Sequence, residues 1–162
     1  MPKVSRRHLA GAFVGGLVGG ILVLILASAY SVQGGFTVWD PYYGIGGVLG
    51  YTGNTAFAVG LFVDLLIPMV LAFLMVGVLW VLSRTPLRFL EFTSPIRAGA
   101  EGAAVGVLVF FLFYVPVIED ITHHPMLSAI MQALEFGFVE HLIFAAATGI
   151  VIYLIGGPVT FK

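Results

Sequence analysis

Four long apolar stretches restrict what this chain of 162 residues can fold into. They cover about residues 9–31, 55–83, 98–117 and 127–156. A helix of about 20 apolar residues crosses about 30 Å of hydrocarbon, and a helix satisfies its backbone hydrogen bonds internally, as lipid requires. The sequence therefore predicts an all-α integral membrane protein. We expect a four-helix bundle that forms a single transmembrane domain over residues 1–162.

The composition supports a membrane protein and excludes several other classes. Hydrophobic residues make up 60% of the chain and charged residues 9%, and the mean hydropathy is +1.09. These values are far from those of a soluble domain or a nucleic-acid-binding protein, so we expect no nucleic-acid partner. The chain has no cysteine, which excludes disulfides, thiolate metal sites and a cysteine nucleophile. Four spans also leave too little sequence for a soluble catalytic domain.

The positive charges predict how the chain is oriented. The connections 32–54 and 118–126 contain no lysine or arginine, and the seven basic residues all lie on the opposite side. They are Lys3, Arg6, Arg7, Arg84, Arg88, Arg97 and Lys162. Positive charge beside a span remains on the cytoplasmic side, so both termini are predicted to be cytoplasmic in a multi-pass protein of the plasma membrane. The basic rim also suits anionic lipids.

The N-terminus has an alternative interpretation as an export signal. Ser5–Leu9 contains a twin arginine, and Ala27–Ala29 resembles a cleavage site. The apolar run that follows is longer than the roughly 7–15 residues of a signal peptide. We therefore expect an uncleaved first span.

Glycine spacing predicts close helix packing in two spans. Gly11, Gly15 and Gly19 recur every fourth residue in the first span, and Gly102 and Gly106 do so in the third. Small residues at this spacing let a neighbouring backbone approach closely. Because both stripes lie in the cytoplasmic half, we expect the first and third spans to cross there.

Five ionisable residues fall inside the predicted spans. They are Asp64, Glu101, Glu135, Glu140 and His141. Each charge costs about 2.5–3.5 kcal/mol to insert, so each needs a partner or a role. Counting residues places Asp64 and Glu135 near mid-bilayer, and Glu140 and His141 one to two turns closer to the cytoplasm and to Glu101. These residues could be neutral polar contacts between helices, a proton or ion path, or contacts with a larger complex.

A weak internal repeat suggests which of these residues face each other. Gly60-x-x-x-Asp64 and Gly137-x-x-x-His141 occupy similar places in the even-numbered spans. Two helical hairpins in the same orientation would form a parallel repeat about an axis normal to the membrane. The repeat predicts a hydrogen bond between Asp64 and His141.

The sequence supplies no complete cofactor or metal site. Haem held by two histidines needs both on facing spans, and His141 is the one intramembrane histidine. His123 and His124, with Glu119 and Asp120, could bind a transition metal from outside, but we expect a solvated turn there. The aromatic connection Gln33–Asn54 is expected to form a partly ordered loop or a short helix on the outer surface, or alternatively a surface for docking another subunit.

The chain resembles small archaeal four-helix integral membrane proteins that have no assigned activity. The resemblance is carried by the glycine-rich first span, by Ile45–Gly50 and Gly53–Asn54, and by Glu140–His141 followed by Gly149. Such proteins are sometimes encoded beside haem-copper terminal oxidases, so the resemblance implies an accessory respiratory subunit. It implies no catalytic residue and no cofactor.

These observations lead to two hypotheses from different classes. The first is a non-catalytic accessory subunit of a larger membrane complex, a respiratory terminal oxidase, whose partners are other integral membrane subunits and lipids. The alternative is a small oligomeric transporter or channel with a proton or ion path through the intramembrane acids. No enzymatic activity is expected, since the sequence contains no recognisable nucleophile or metal motif.

Overall fold

The computed structural model describes residues 5–82, 92–114, 116 and 138–158. Within these residues the chain is helical, and four helices are long and apolar enough to cross a membrane, as the sequence predicts. Five α-helices are present in the described ranges: α1 Arg6–Gln33, α2 Asp40–Val48, α3 Gly53–Leu82, α4 Pro95–Val109 and α5 Phe138–Gly156. The last helical turn after α4, Phe110–Tyr114, is a π-helix. The membrane-crossing candidates are α1, α3, α4 with its π-helical extension, and α5.

Helix α5 makes the most extensive contacts, because it packs between α1 and α4. On its other side α1 packs against α3, and α3 makes a smaller contact with α4. The short helix α2 lies against α3. The long helices are therefore arranged in the order α3, α1, α5 and α4.

Glycines on α1 bring its backbone close to α5. Gly11 faces Ile152, and a Cβ atom on Gly15 would lie only 3.1 Å from the carbonyl oxygen of Thr148. The hydroxyl of Thr148 donates a hydrogen bond of 3.1 Å to the Gly15 carbonyl in a fully buried position. One turn further, the ring of Phe144 covers Gly19. The predicted stripe of the first span is thus the contact surface for α5.

The glycines of α4 pack on the opposite side of the same helix. Gly102 and Gly106 both lie against Ala145, and Gly149 of α5 fits against the backbone of Ala98. The predicted crossing of the first and third spans is therefore wrong, since α1 and α4 are separated by α5. Small-residue spacing identifies a face that lets another helix approach, but any neighbouring backbone can occupy that face.

A second glycine face of α1 is turned towards α3. A Cβ atom on Gly16 would lie 2.7 Å from the Cα atom of Met69, and one on Gly20 would lie 3.3 Å from the ring of Pro68. Neighbouring residues on a helix point about 100° apart, so the two glycine pairs serve two different neighbours. Helix α1 fits closely between α3 and α5 for this reason.

Helix α2 is the short helix expected in the aromatic connection, and it is fixed to both α1 and α3. A side chain on Gly46 would overlap the backbone of Ala56, so these two helices pack with their backbones in contact. The hydroxyl of Tyr42 lies 2.9 Å from Ser28 Oγ and 3.2 Å from the carbonyl oxygen of Leu24, both on α1. The rings of Trp39, Tyr42 and Tyr43 surround Phe57.

The described arginines lie at one end of the molecule. Arg6 and Arg7 begin α1, and Arg97 lies in the first turn of α4. The last turn of α5 reaches the same end, because Gly156 contacts the ring of His8. We call this end the basic end, and the opposite one the α2 end.

Replacing Gly15 with leucine should force α1 and α5 apart. Overpacking at a close contact costs about 1–3 kcal/mol, so Gly15→Leu should lower the free energy of unfolding by this amount. Unfolding by titration with SDS from detergent micelles measures the change. The matched control is Gly77→Leu, because Gly77 lies in the membrane helix α3 with no atom within 4 Å of a built Cβ. Equal losses in both variants would contradict the packing role.

Removing the Tyr42 hydroxyl should loosen α2 without disturbing the long helices. A hydrogen bond contributes about 0.5–1.5 kcal/mol, so Tyr42→Phe should speed amide hydrogen exchange across Asp40–Val48 by roughly threefold to tenfold. The control is Tyr43→Phe, since the Tyr43 side chain is 40% exposed and packs through its ring. Unchanged exchange in Tyr42→Phe would show that its hydroxyl does not hold α2.

Candidate functional site

Carboxyl groups from two different helices lie within electrostatic range of each other inside the membrane-crossing part of the molecule. Asp64 belongs to α3 and Glu140 to α5, and the two groups are close enough to interact electrostatically. Glu140 is 8% exposed, and Asp64 is half-buried. Neither α3 nor α5 contains a lysine or an arginine. We call Asp64 and Glu140 the carboxyl pair.

Proline at position 68 makes the surroundings of Asp64 more polar. Helix α3 continues through Pro68, which has no N–H group to donate to the carbonyl of Asp64 four residues earlier. The buried ring fits against Gly20 of α1, where a larger side chain would leave it no room. The side-chain carboxyl group of Asp64 and its backbone carbonyl, which lacks its helical hydrogen-bond donor, therefore lie at the same level.

His141 extends the polar region from the carboxyl pair towards the core. It follows Glu140 directly, so its side chain points about 100° away around α5. The imidazole ring packs edge-to-face against Phe110, with ring centroids 5.1 Å apart. It also lines a small cavity together with Leu71, Met75, Gly106 and Phe144.

The π-helical turn of α4 packs beside His141. Phe110, its first residue, is fully buried and contacts the rings of Phe111 and Phe138 as well as His141. A π-helical turn accommodates one more residue than an α-helical turn, and such turns are frequent at functional sites. This turn could not be predicted, because the residues Phe110–Tyr114 are as apolar as the rest of the span.

Glu101 lies apart from the carboxyl pair and has a cationic partner. Its carboxylate forms an ion pair with the guanidinium of Arg97, one helical turn earlier in α4 and towards the basic end. Glu101 was predicted to be an intramembrane acid, but Arg97 was not identified as its partner from the sequence. The separation of four residues between Arg97 and Glu101 could have indicated this ion pair, because it places two helical side chains on one face.

Another expectation about the site is corrected. Glu140 lies at about the level of Asp64, not one or two turns deeper, because α5 packs against α1 in a register that brings Phe144 to Gly19 while Pro68 reaches Gly20. The hydrogen bond between Asp64 and His141 remains a prediction. Glu135, expected at the level of Asp64, lies outside the described residues, as do His123 and His124.

His8 is a buried polar residue that sequence analysis placed at the membrane surface. It is 5% exposed, and its Nδ1 atom accepts a hydrogen bond of 3.0 Å from the backbone N–H of Ser5. The same nitrogen lies 2.9 Å from Ser5 Oγ, which makes this a capping box with histidine at its third position. Ser5 and His8 have the spacing of this motif, so the interaction could have been found in the sequence.

The carboxyl pair and His141 do not form a metal-binding group. Among the residues that the structure describes, no cluster of three or more histidine, cysteine, aspartate or glutamate side chains is arranged to hold a metal ion. Two carboxyl groups and an imidazole in an apolar setting can instead hold and exchange protons.

Comparison with known proteins adds no assignment. No family model matches the chain, and no curated protein or solved structure is similar to it.

Proposed function

We propose that this protein exchanges protons at the carboxyl pair inside the membrane, as part of a small transporter or channel. The observation that carries the proposal is the proximity of Asp64 and Glu140 on two helices that contain no basic residue. Each charged carboxylate would cost about 2.5–3.5 kcal/mol in this setting. Two carboxylates within electrostatic range also repel each other, so the pair favours states in which one of them is protonated.

The proposed topology places this site within reach of both sides of the membrane. In it, α1, α3, α4 and α5 form a four-helix bundle with both termini in the cytoplasm, and the basic end faces the cytoplasm. The arginines at one end of the described helices support this orientation. The hairpins α1–α3 and α4–α5 would then be the halves of a parallel repeat in the plasma membrane.

Proton flux into liposomes tests the carboxyl pair. Purified protein is reconstituted with a pH-sensitive dye inside, and a potassium diffusion potential drives proton entry. Asp64→Asn and Glu140→Gln should each reduce the flux by at least about tenfold, because an amide does not exchange a proton as a carboxyl group does. Asp40→Asn is the matched control, since Asp40 lies at the α2 end and accepts a hydrogen bond from the Thr37 amide.

Two outcomes would contradict the proposal. One is a wild-type flux no greater than that of empty liposomes. The other is a flux that both carboxyl variants leave unchanged, which would remove the carboxyl pair from the path.

A second candidate function is that of an accessory subunit in a larger membrane complex, which we propose is a respiratory terminal oxidase. The observation that favours it is an exposed aromatic surface at the α2 end, where Phe36 is 66%, Trp39 55% and Tyr51 46% exposed. Aromatic rings are enriched where subunits bind each other, and they also prefer the headgroup region of a lipid bilayer.

Purification from native membranes in a mild detergent tests the accessory function. The protein should co-migrate with larger integral membrane subunits that contain haem. The double variant Phe36→Ala and Trp39→Ala should reduce the co-purified fraction by at least about tenfold if these rings are binding hot spots. The control is Phe62→Ala, since Phe62 is 64% exposed on the lipid-facing length of α3. Migration as a homo-oligomer alone would contradict this function.

A further inference from the structure

Ionisable side chains of α3, α4 and α5 form two groups, one towards each end of the molecule. Towards the α2 end lie the carboxyl pair and His141, and towards the basic end lies Glu101 with its partner Arg97. Between them lie four buried side chains from three helices, which we call the Met75 layer. The layer consists of Leu71 and Met75 of α3, Val105 of α4 and Phe144 of α5, which are between 0% and 8% exposed.

The cavity that His141 lines is directly adjacent to this layer. Its volume is about 10 Å³, close to the minimum that one water molecule requires. His141 is the only polar side chain among the cavity's five lining residues, whereas an ordered water needs two to four polar partners. We expect a cavity of this size and chemistry to be dry at rest. It would admit water after a small change in shape or polarity.

The layer is also thin. Gly106 lines the cavity, and Glu101 lies five residues earlier on α4, which is about 7.5 Å along the helix axis. A chain of one or two water molecules would cross this distance. Met75 is suited to open such a path, because its unbranched thioether side chain changes rotamer easily.

We propose that the Met75 layer is a hydrophobic gate between the carboxyl pair and Glu101. This inference rests on the proposed proton exchange and adds where that exchange is controlled. A proton leaves the carboxyl pair for His141. It reaches the carboxylate of Glu101 only when water fills the cavity and connects the two groups. While the cavity is dry, the layer blocks transfer, as apolar constrictions do in channels.

Hydroxyl-radical labelling of proteoliposomes tests whether the cavity is dry. Radicals formed from water oxidise a methionine that has water beside its sulfur, and the products are counted by mass spectrometry. In the wild type Met75 should react at least about tenfold more slowly than methionine added to the buffer. Leu71→Ser places a hydroxyl in the cavity and should speed oxidation of Met75 by about fivefold, as one added hydrogen bond would. Leu71→Met is the apolar control, and Met69, which packs on Gly16, is the internal reference.

Proton flux measured on the same samples separates the gate from the proposed function. Leu71→Ser should raise the flux by about tenfold over the wild type, whereas Leu71→Met should leave it within about twofold. If Leu71→Ser does not fold, the proton flux of Met75→Ser is measured in its place.

Each result decides one of the two claims. Rapid oxidation of Met75 in the wild type, or oxidation that Leu71→Ser leaves unchanged, would overturn the gate whether or not protons flow. A proton flux that Asp64→Asn reduces but that both serine variants leave unchanged would overturn the gate. The proposed function would still stand. Absence of flux in every variant would overturn the proposed function, and the labelling would still decide whether the layer is dry.

Discussion

The arrangement of the membrane helices depends on the close contact between α5 and its two neighbours. Gly15 and Gly19 of α1 receive α5 on one side, and Gly102 and Gly106 of α4 receive it on the other. In lipid, apolar side chains gain little by leaving their solvent, so dispersion forces between close backbones hold such helices together. The buried hydrogen bond from Thr148 to the Gly15 carbonyl also fixes the register of α1 and α5.

That register determines what the polar side chains can do. Helix α1 positions Pro68 of α3 at Gly20 and Phe144 of α5 at Gly19. It thereby aligns two helices that make little contact with each other. Asp64 and Glu140 each lie one turn before these residues, and so they come to lie at about the same level and within electrostatic range. The carboxyl pair is thus a product of glycine packing on a third helix, which contributes no charge of its own.

Much of the fold could be predicted because hydrophobic length is a property of each segment alone. The predicted spans 9–31 and 55–83 agree closely with α1 and α3, and the predicted end of the last span at residue 156 is the end of α5. A short helix in the aromatic connection was one of the two expected forms, and α2 is such a helix. The topology and the repeat remain predictions.

The site could be predicted only in part, because it depends on which helices are neighbours. All of the acids were identified as intramembrane residues, since their cost in lipid follows from the sequence. Their pairing was not, because counting residues from a span's end gives a depth that is uncertain by a turn or more. The ion pair between Arg97 and Glu101 could have been predicted, because the two residues are four positions apart on one helix.

The π-helical turn at Phe110–Tyr114 has a consequence for how α4 tolerates changes in length. It contains one residue beyond the α-helical count, so the last positions of the turn are rotated by about 100° relative to the glycine face before it. Deleting a single residue there would restore regular winding and reverse that rotation. Phe111 would then take the place that Phe110 holds against Phe138 and His141. Insertions and deletions at this turn would therefore change which aromatic ring packs against His141, while leaving the contact between Gly102 and Ala145 intact.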